Sequence, residues 1–597
     1  MKRPHTLFFL SVPVVCLLMS LVLLISHRGM PIEARPAQLK RLEQGAQAME
    51  QGVEILLLAR EETPLLQTVQ DALDEMRIGW TVSDKTGAEA LGKVDTVLVC
   101  TDDLPALEGE EAVSLIRWVE QGGHLGILQS QSMDGWFRIA SHKLGIMDSA
   151  AEYREYHALE ASPGVFGVFE DQIMDEELSD FTLPVQLESD CRVLLQSADE
   201  NKTPLMWCRE IGKGRALVCN HSLIGGKDSR GQVAIALEQL EDVLVYPVIN
   251  AGLVFIDDFP APQPEGYDEF LQEQFGMNIQ GFFRNHWWPD MKEAAREYGV
   301  RYTGVLVETY NKNMKPPFEP DSQDHSLLRY YASELYQSGG EVGLHGYNHQ
   351  PLCLKGWQYA DEDYETWEST EDMEGAVREL MRYGHSFLPN VTFTSYVPPS
   401  NYLSDEGQKV LVDTVKDLVA ISGVYLPEDG VNARVQEYHE SPDGTVPVPR
   451  ITSGFSMGRY EKYVAAGELN LHGIFSHFIH PDDVLDEERG ALLGWEKMFE
   501  DFCSVLEEVK AAYPALRWCT ATEAAAAVQR YDRLRIEREK EGTTLKLTLT
   551  GFYDEAWLKL SCPHEVRVTG AEVYKAGSAQ WLRATSDTVI VDWGDGA

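Results

Sequence analysis

The spacing of apolar positions changes period several times along the chain, and each change marks a candidate element. Val53-Glu54-Ile55-Leu56-Leu57-Leu58 predicts a strand, Pro64 to Met76 an amphipathic helix, and Val94 to Cys100 a second strand. Glu110 to Gln121 has helical spacing through Ala112, Leu115, Ile116 and Val119, stops at Gly122-Gly123, and leads into a strand at Leu125 to Leu128. Such alternation predicts a parallel sheet with helices on both faces. A second alternating series runs from about Ala251 to Ala525. Its strands are expected near 253–258, 302–308, 341–346, 392–397, 419–425, 447–451 and 470–479, with a short last one at Leu516 to Cys519. Helical runs such as Ser326 to Gln337 and Ser369 to Tyr383 lie between them. Seven or eight such βα units predict a barrel, closed or slightly distorted, with its chemistry at the carboxyl ends of the strands. After Ala525, Arg530 to Glu541 reads as a charged helical link. Period-two alternation at Leu545 to Leu549, Val566 to Val568 and Val589 to Val591 then predicts a small β-sandwich.

Ahead of these elements, Leu7 to Ile25 is almost unbroken apolar sequence behind Met1-Lys2-Arg3, long enough to cross a bilayer as a helix. No small-residue cleavage site follows, so an uncleaved signal anchor is the first expectation and a cleaved signal peptide the second. The bulk of the chain is then expected outside the cytoplasm, although Arg28, Arg35, Lys40 and Arg41 rival Lys2 and Arg3 in the positive-inside count. The expected organisation is an α/β chain: a membrane helix within 1–30, a tether over 31–52, a doubly wound parallel-sheet domain over 53–248, a distorted (β/α) barrel over 249–530 and a small C-terminal β-sandwich over 531–597.

Composition narrows the partners. Against 51 basic residues stand 95 acidic ones, a net charge of -44, which argues against nucleic acid and against an anionic lipid surface for the main body. The 9 cysteines are scattered, odd in number and without a Cys-x-x-Cys pair, and read as buried thiols.

Two stretches carry candidate chemistry. Leu253-Val254-Phe255-Ile256-Asp257-Asp258-Phe259-Pro260 is an apolar strand that ends in two acids. Paired acids at a strand end are more often a turn or cap feature. Further on, Glu341-Val342-Gly343-Leu344-His345-Gly346-Tyr347-Asn348-His349 ends another apolar run in a His-x-x-x-His pair. One carboxylate with two imidazoles suits zinc or a similar divalent ion and leaves a position for water.

With the late Phe478-Ile479-His480-Pro481-Asp482, these motifs resemble the polysaccharide deacetylases, metal-dependent carbohydrate esterases on a distorted (β/α) barrel. The resemblance covers roughly residues 251–525 and implies roles: Asp257 as general base, Asp258, His345 and His349 as ligands of a divalent metal, Zn2+ in the first instance, and His480 as general acid. Tyr396, Pro398 and Pro399, in Tyr396-Val397-Pro398-Pro399-Ser400-Asn401, are the implied substrate-binding turn. Two departures stand out. Phe259 occupies a position where the family commonly has Gly, and the turn lacks the Arg that normally orients the catalytic Asp. Arg450, after Val446-Pro447-Val448-Pro449, is a candidate replacement from a neighbouring strand, with a surface arginine the default. Aromatic residues in Phe282 to Trp288 and Trp357 to Trp367 read either as a sugar-stacking rim or as packed core.

His477 competes with His480 for the acid role. Residues three apart in a strand face opposite ways, so one alone reaches the site; His480, just before Pro481, is the expectation and His477 the core histidine.

The first domain resembles the class-I glutamine amidotransferase or flavodoxin-like layer, with Lys213 to Val218 as its late hairpin strand. Ser130, in Gly126-Ile127-Leu128-Gln129-Ser130-Gln131, lacks the flanking glycines of a nucleophile elbow, so this domain is expected to be non-catalytic. Its combination with a deacetylase-like barrel resembles bacterial exopolysaccharide-associated proteins, including the Pel type. That implies an N-acetylated matrix polysaccharide as substrate, membrane attachment through the N-terminal helix and an export machinery as partner. The alternative is a catalytically weak carbohydrate-binding or scaffold protein that uses the same cleft.

Overall fold

The computed structural model describes residues 42, 52, 54–101, 109–130, 133, 135–170, 179–318, 326–360, 364–428 and 430–594. The apolar run Leu7 to Ile25 lies outside them. Among the described residues no helix is long and apolar enough to cross a membrane.

The N-terminal sheet has eight strands. Trp80–Ser83, Ile55–Leu58, Thr96–Val99, His124–Ile127 and Gly214–Cys219 pair in parallel in that order, and Pro204–Ile211, Arg192–Ser197 and Leu159–Ala161 extend it antiparallel. Alternation along the first strand sends Ile55 and Leu57 to one core with Leu66, Val69 and Leu73, and Leu56 and Leu58 to another with Leu115 and Val119. Helices therefore cover both faces, as the sequence pattern requires.

The central sheet is parallel throughout. Its strands are β1 (Ala251–Ile256), β2 (Tyr302–Val307), β3 (Glu341–Gly346), β4 (Ser395–Tyr396), β5 (Ala420–Ile421), β6 (Val446–Pro447), β7 (Thr452–Ser453) and β8 (Ile474–Ile479). They run in the order 6-5-4-3-2-1-8-7, and β6 does not pair with β7, so the sheet curls as an open half-barrel. The expected strand at 447–451 breaks into β6 and β7 because Pro447 and Pro449 have no N–H to give to a ladder. The expected last strand at 516–519 is a single bridge between Trp518 and Gly252.

The charged link over Arg530 to Glu541 is corrected. A helix ends at Arg533, and Arg535–Glu541 is a strand, paired with Thr544–Thr550 through a tight turn at Gly542 (φ +60°). Glu537, Glu539, Lys540 and Glu541 are exposed on an edge strand, and pairing with Leu545, Leu547 and Leu549 overrides helical propensity. Two four-stranded antiparallel sheets form this last layer. One of them includes Leu244–Val248, which the sequence pattern places at the end of the first domain.

An ionic cluster, buried except at the exposed His439, ties the first layer to the barrel. Glu75, at the end of helix Pro64–Glu75, accepts from Tyr531 at 2.5 Å and pairs with His439 at 3.1 Å and His472 at 3.4 Å; His472 also pairs with Glu468 at 2.7 Å. Hydrogen bonds donated to Asp532 and Glu75 lift His439 to about 10. Burial opposes the charge on His472, yet Glu468 and Glu75 outweigh it and lift this group to about 9. Burial likewise opposes ionisation of Glu75, and the two imidazoles hold it well below the usual carboxylate range. Raised imidazoles contribute fully below their ordinary value of 6.5 and lose that contribution as pH rises through about 9 to 10. The depressed Glu75 contributes above 4.5 and loses its share as pH falls. Thermal melts are therefore expected to show an alkaline fall in Tm between pH 8 and 10 that is reduced in His439→Gln/His472→Gln; an unchanged alkaline limb would remove the cluster as its source.

Candidate active site

Asp257 and His480 stand side by side because β1 and β8 are neighbours in register. Ile256 is level with Ile479, and the Asp257 N–H donates to the Ile479 carbonyl at 2.9 Å. At Asp258 the backbone turns left-handed (φ +51°), which swings its carboxylate toward the end of β3. There Gly346 (φ +136°) lets the chain fold back over one turn, so that His349 (φ +54°) returns to His345. Both Nε2 atoms approach one oxygen of Asp258, at 3.7 Å from His345 and 3.5 Å from His349. The three ligand atoms lie within 4.8 Å of one another.

This donor set fits a divalent cation. The Val397 carbonyl accepts from His345 Nδ1 at 2.8 Å; a carbonyl only accepts, so Nδ1 carries the proton and Nε2 presents its lone pair. Burial pushes His345 and His349 down to about 4, which keeps both imidazoles neutral. Asp258 Oδ1 is buried with no hydrogen-bond partner, a costly state for a carboxylate that a cation would relieve. Burial also pushes the Asp258 carboxyl up.

Arg450 is not a surface residue. It is 2% exposed, pairs with Asp257, donates to Asn401 Oδ1 and the Gly423 carbonyl, and lies 4.3 Å from the Phe478 ring centroid. It thus supplies from the end of β6 the cation that the turn after β4 lacks. Burial works against ionisation of Asp257, but Arg450 prevails and holds the carboxyl below its usual range, ready to accept a proton at neutral pH. Asp257 Oδ1 is left without a partner.

On the other side of Asp257, His480 Nε2 lies 4.0 Å from Asp257 Oδ2 and Nδ1 lies 3.5 Å from Asp483 Oδ1. Burial disfavours its charge, yet Asp483 and Asp257 raise the imidazole above its ordinary value. His477 is occupied elsewhere: Nε2 donates to the Gly454 carbonyl at 2.7 Å and Nδ1 is 2.9 Å from the Thr452 hydroxyl. Its two nitrogens are satisfied in the core, and burial pushes it down to about 4.

Tyr396, Pro398 and Pro399 do not reach the cleft. All three are buried, and the left-handed Ser400 (φ +44°) and Asn401 (φ +63°) line the cavity in their place. Trp287, Trp288 and Trp367 are core rather than a sugar rim. Phe259 explains the first two, for its ring packs 5.3 Å from Trp287, 4.9 Å from Trp288 and 5.3 Å from Tyr331. Among the described residues the Phe and Tyr side chains that line the cleft are Phe283, Tyr310, Tyr364, Tyr402 and Phe478. Asp483 and Arg450 were the residues sequence reasoning undervalued. The signal for Arg450 was its place after a buried Val-Pro-Val-Pro strand; for Asp483, its place just past the exit of β8.

Arg450→Ala is expected to lower turnover by roughly 10²-fold or more with metal content unchanged, since it frees the Asp257 carboxylate to move. Breaking a buried pair also costs about 3–5 kcal/mol of stability, so melts and kinetics belong together. Arg450→Lys should recover part of the rate. Near-normal turnover in a folded, metal-replete Arg450→Ala protein would remove Arg450 from this role.

Comparison with known proteins places this geometry. No curated protein matches the chain by sequence. Among solved structures it is similar to Agd3, a novel carbohydrate deacetylase, with a TM-score of 0.55 and 10% identity over 91% of this chain and 99% of that one. BA3943, a CE4 family pseudoenzyme from Bacillus anthracis, matches at a TM-score of 0.26 and 11% identity over 47% of this chain and 66% of its own, too low a score to inform the fold. The chain therefore has the fold of a carbohydrate deacetylase, divergent in sequence. A family model described as an uncharacterised protein conserved in bacteria matches residues 168–580, a span that contains Asp257, Asp258, His345, His349, Arg450 and His480, and the chain belongs to that family, DUF2194.

Proposed function

We propose that this protein hydrolyses N-acetyl groups from a polysaccharide, with a divalent metal held by Asp258, His345 and His349. The observation that carries the reading is the convergence of that triad with an Arg-paired Asp257 and an Asp-paired His480 on one rim of a half-barrel. An amide is a poor electrophile with a poor amine leaving group, so a site needs an activated water, a polarised carbonyl and a proton for nitrogen. A divalent cation supplies the first two, lowering the pKa of water from near 16 toward about 7. Asp257, kept ionised by Arg450, accepts the proton of that water. His480, raised above its ordinary value by Asp483 and Asp257, gives a proton to the departing amine. Each kind of assistance is typically worth roughly 10²–10⁴-fold.

Arg450 is also what favours catalysis over the scaffold reading, because a binding protein needs no buried arginine on an acid at the strand end. We extend the proposal to an extracytoplasmic polymer, a membrane anchor at Leu7 to Ile25, zinc as the ion and service in exopolysaccharide export. The test is acetate release by the full chain, supplied with Zn2+, from a panel of N-acetylated glycans. Glycan binding without acetate release from any of them would favour the scaffold.

A further inference from the structure

All three residues of the metal triad line one cavity, and Asp258 also opens onto a second. Asp258 and Asp482 line two cavities at once, one of about 620 Å³ and one of about 1140 Å³. The two cavities therefore meet at the reacting centre. They differ in chemistry. The larger holds Arg450, Arg489 and all three histidines of the site, whereas among the described residues no Lys, Arg or His lines the smaller. Its wall instead presents the exposed carboxylates of Glu265 and Asp482, a buried and unpartnered amide oxygen of Gln263, and the ring of Tyr310. Tyr310 is 48% exposed and its ring centroid lies 5.9 Å from that of His349, directly beside the triad.

Those groups share one preference. Carboxylates attract a cation, an unpaired amide oxygen accepts from an N–H, and a tyrosine face attracts an ammonium group. An N-acetyl group offers one N–H and no charge; its hydrolysis product offers an ammonium with three donors. Asp258 has its charge committed to the metal, which leaves Glu265 and Asp482 to act on a neighbouring sugar. We propose that the smaller cavity is a subsite for a hexosamine unit that already carries a free ammonium group, held next to the acetylated unit in the larger cavity. This rests on the deacetylase reading and deepens it. The consequence is that each turnover creates the preferred neighbour for the next, so deacetylation proceeds in blocks along the polymer.

Binding tests the subsite independently of turnover. Titration calorimetry on the full chain with Zn2+ would compare oligomers of equal length, in the N-acetylglucosamine and N-acetylgalactosamine series, either fully acetylated or with one free amine. In at least one series the oligomer with a free amine is expected to bind about 10-fold tighter, a difference that shrinks as salt rises because Glu265 and Asp482 are exposed. Glu265→Gln should reduce the ratio, and Glu265→Gln/Asp482→Asn should bring it close to one. Equal affinity in both series, or a preference that survives the double substitution, overturns the proposal. Acetate release measured alongside separates the two readings: a free-amine preference without acetate from any oligomer would uphold the subsite and defeat the deacetylase.

Discussion

His345→Ala should lose divalent metal and activity together. His345 brings Nε2 to Asp258 from a ring already fixed by the Val397 carbonyl, so its removal takes away a ligand rather than loosening one. Loss of an outer hydrogen-bond partner alone costs roughly 10–100-fold in metal affinity, and loss of the ligand itself is expected to cost more. His349→Ala should behave the same way, since its Nε2 faces the same oxygen at 3.5 Å. His345 is buried, His349 is half-buried and both are held neutral, so each substitution removes a donor without releasing an ion pair that the fold depends on. Metal content by elemental analysis, read beside acetate release, checks the pair. Normal occupancy in both variants would place the metal elsewhere or nowhere.

The second large effect separates two histidines of one strand. His480→Ala is expected to reduce turnover by roughly 10²-fold or more with metal retained, the range for a lost general acid. His477→Ala should leave the rate nearly intact and lower Tm, because it strips partners from the Thr452 hydroxyl and the Gly454 carbonyl in the core. Rates, metal content and melts on both proteins decide it: a metal-replete His480→Ala enzyme with ordinary turnover would remove His480 from the mechanism.

The ease with which these residues were read differs for a physical reason. Asp258, His345 and His349 are legible because each follows an apolar strand directly, and barrel geometry delivers strand ends to one rim. His477 and His480 separate by the twofold alternation of a strand. Arg450 could be named only as the alternative to a surface arginine, for its contact with Asp257 spans 193 residues and depends on how β5, β6 and β8 curl past one another. The turn after β4 differs for a local reason: Tyr396, Pro398 and Pro399 are buried, whereas Ser400 and Asn401, both with left-handed backbone, line the cleft, and nothing in a Pro-Pro-Ser-Asn string demands that. Likewise the aromatic run before Trp288 looks the same as rim or core until Phe259 is placed against it. Strand Arg535–Glu541 has the composition of an exposed helix, and only its partner strand makes it otherwise.

The central claim is a metal-dependent hydrolase, and metal reconstitution tests it most directly. Chelator-stripped full-length protein, titrated with Zn2+ on an N-acetylated glycan from which the untreated protein releases acetate, should be inactive at first and regain acetate release in proportion to bound ion, saturating at one ion per chain; full activity in the stripped protein, or ion uptake that never restores acetate release, would contradict it.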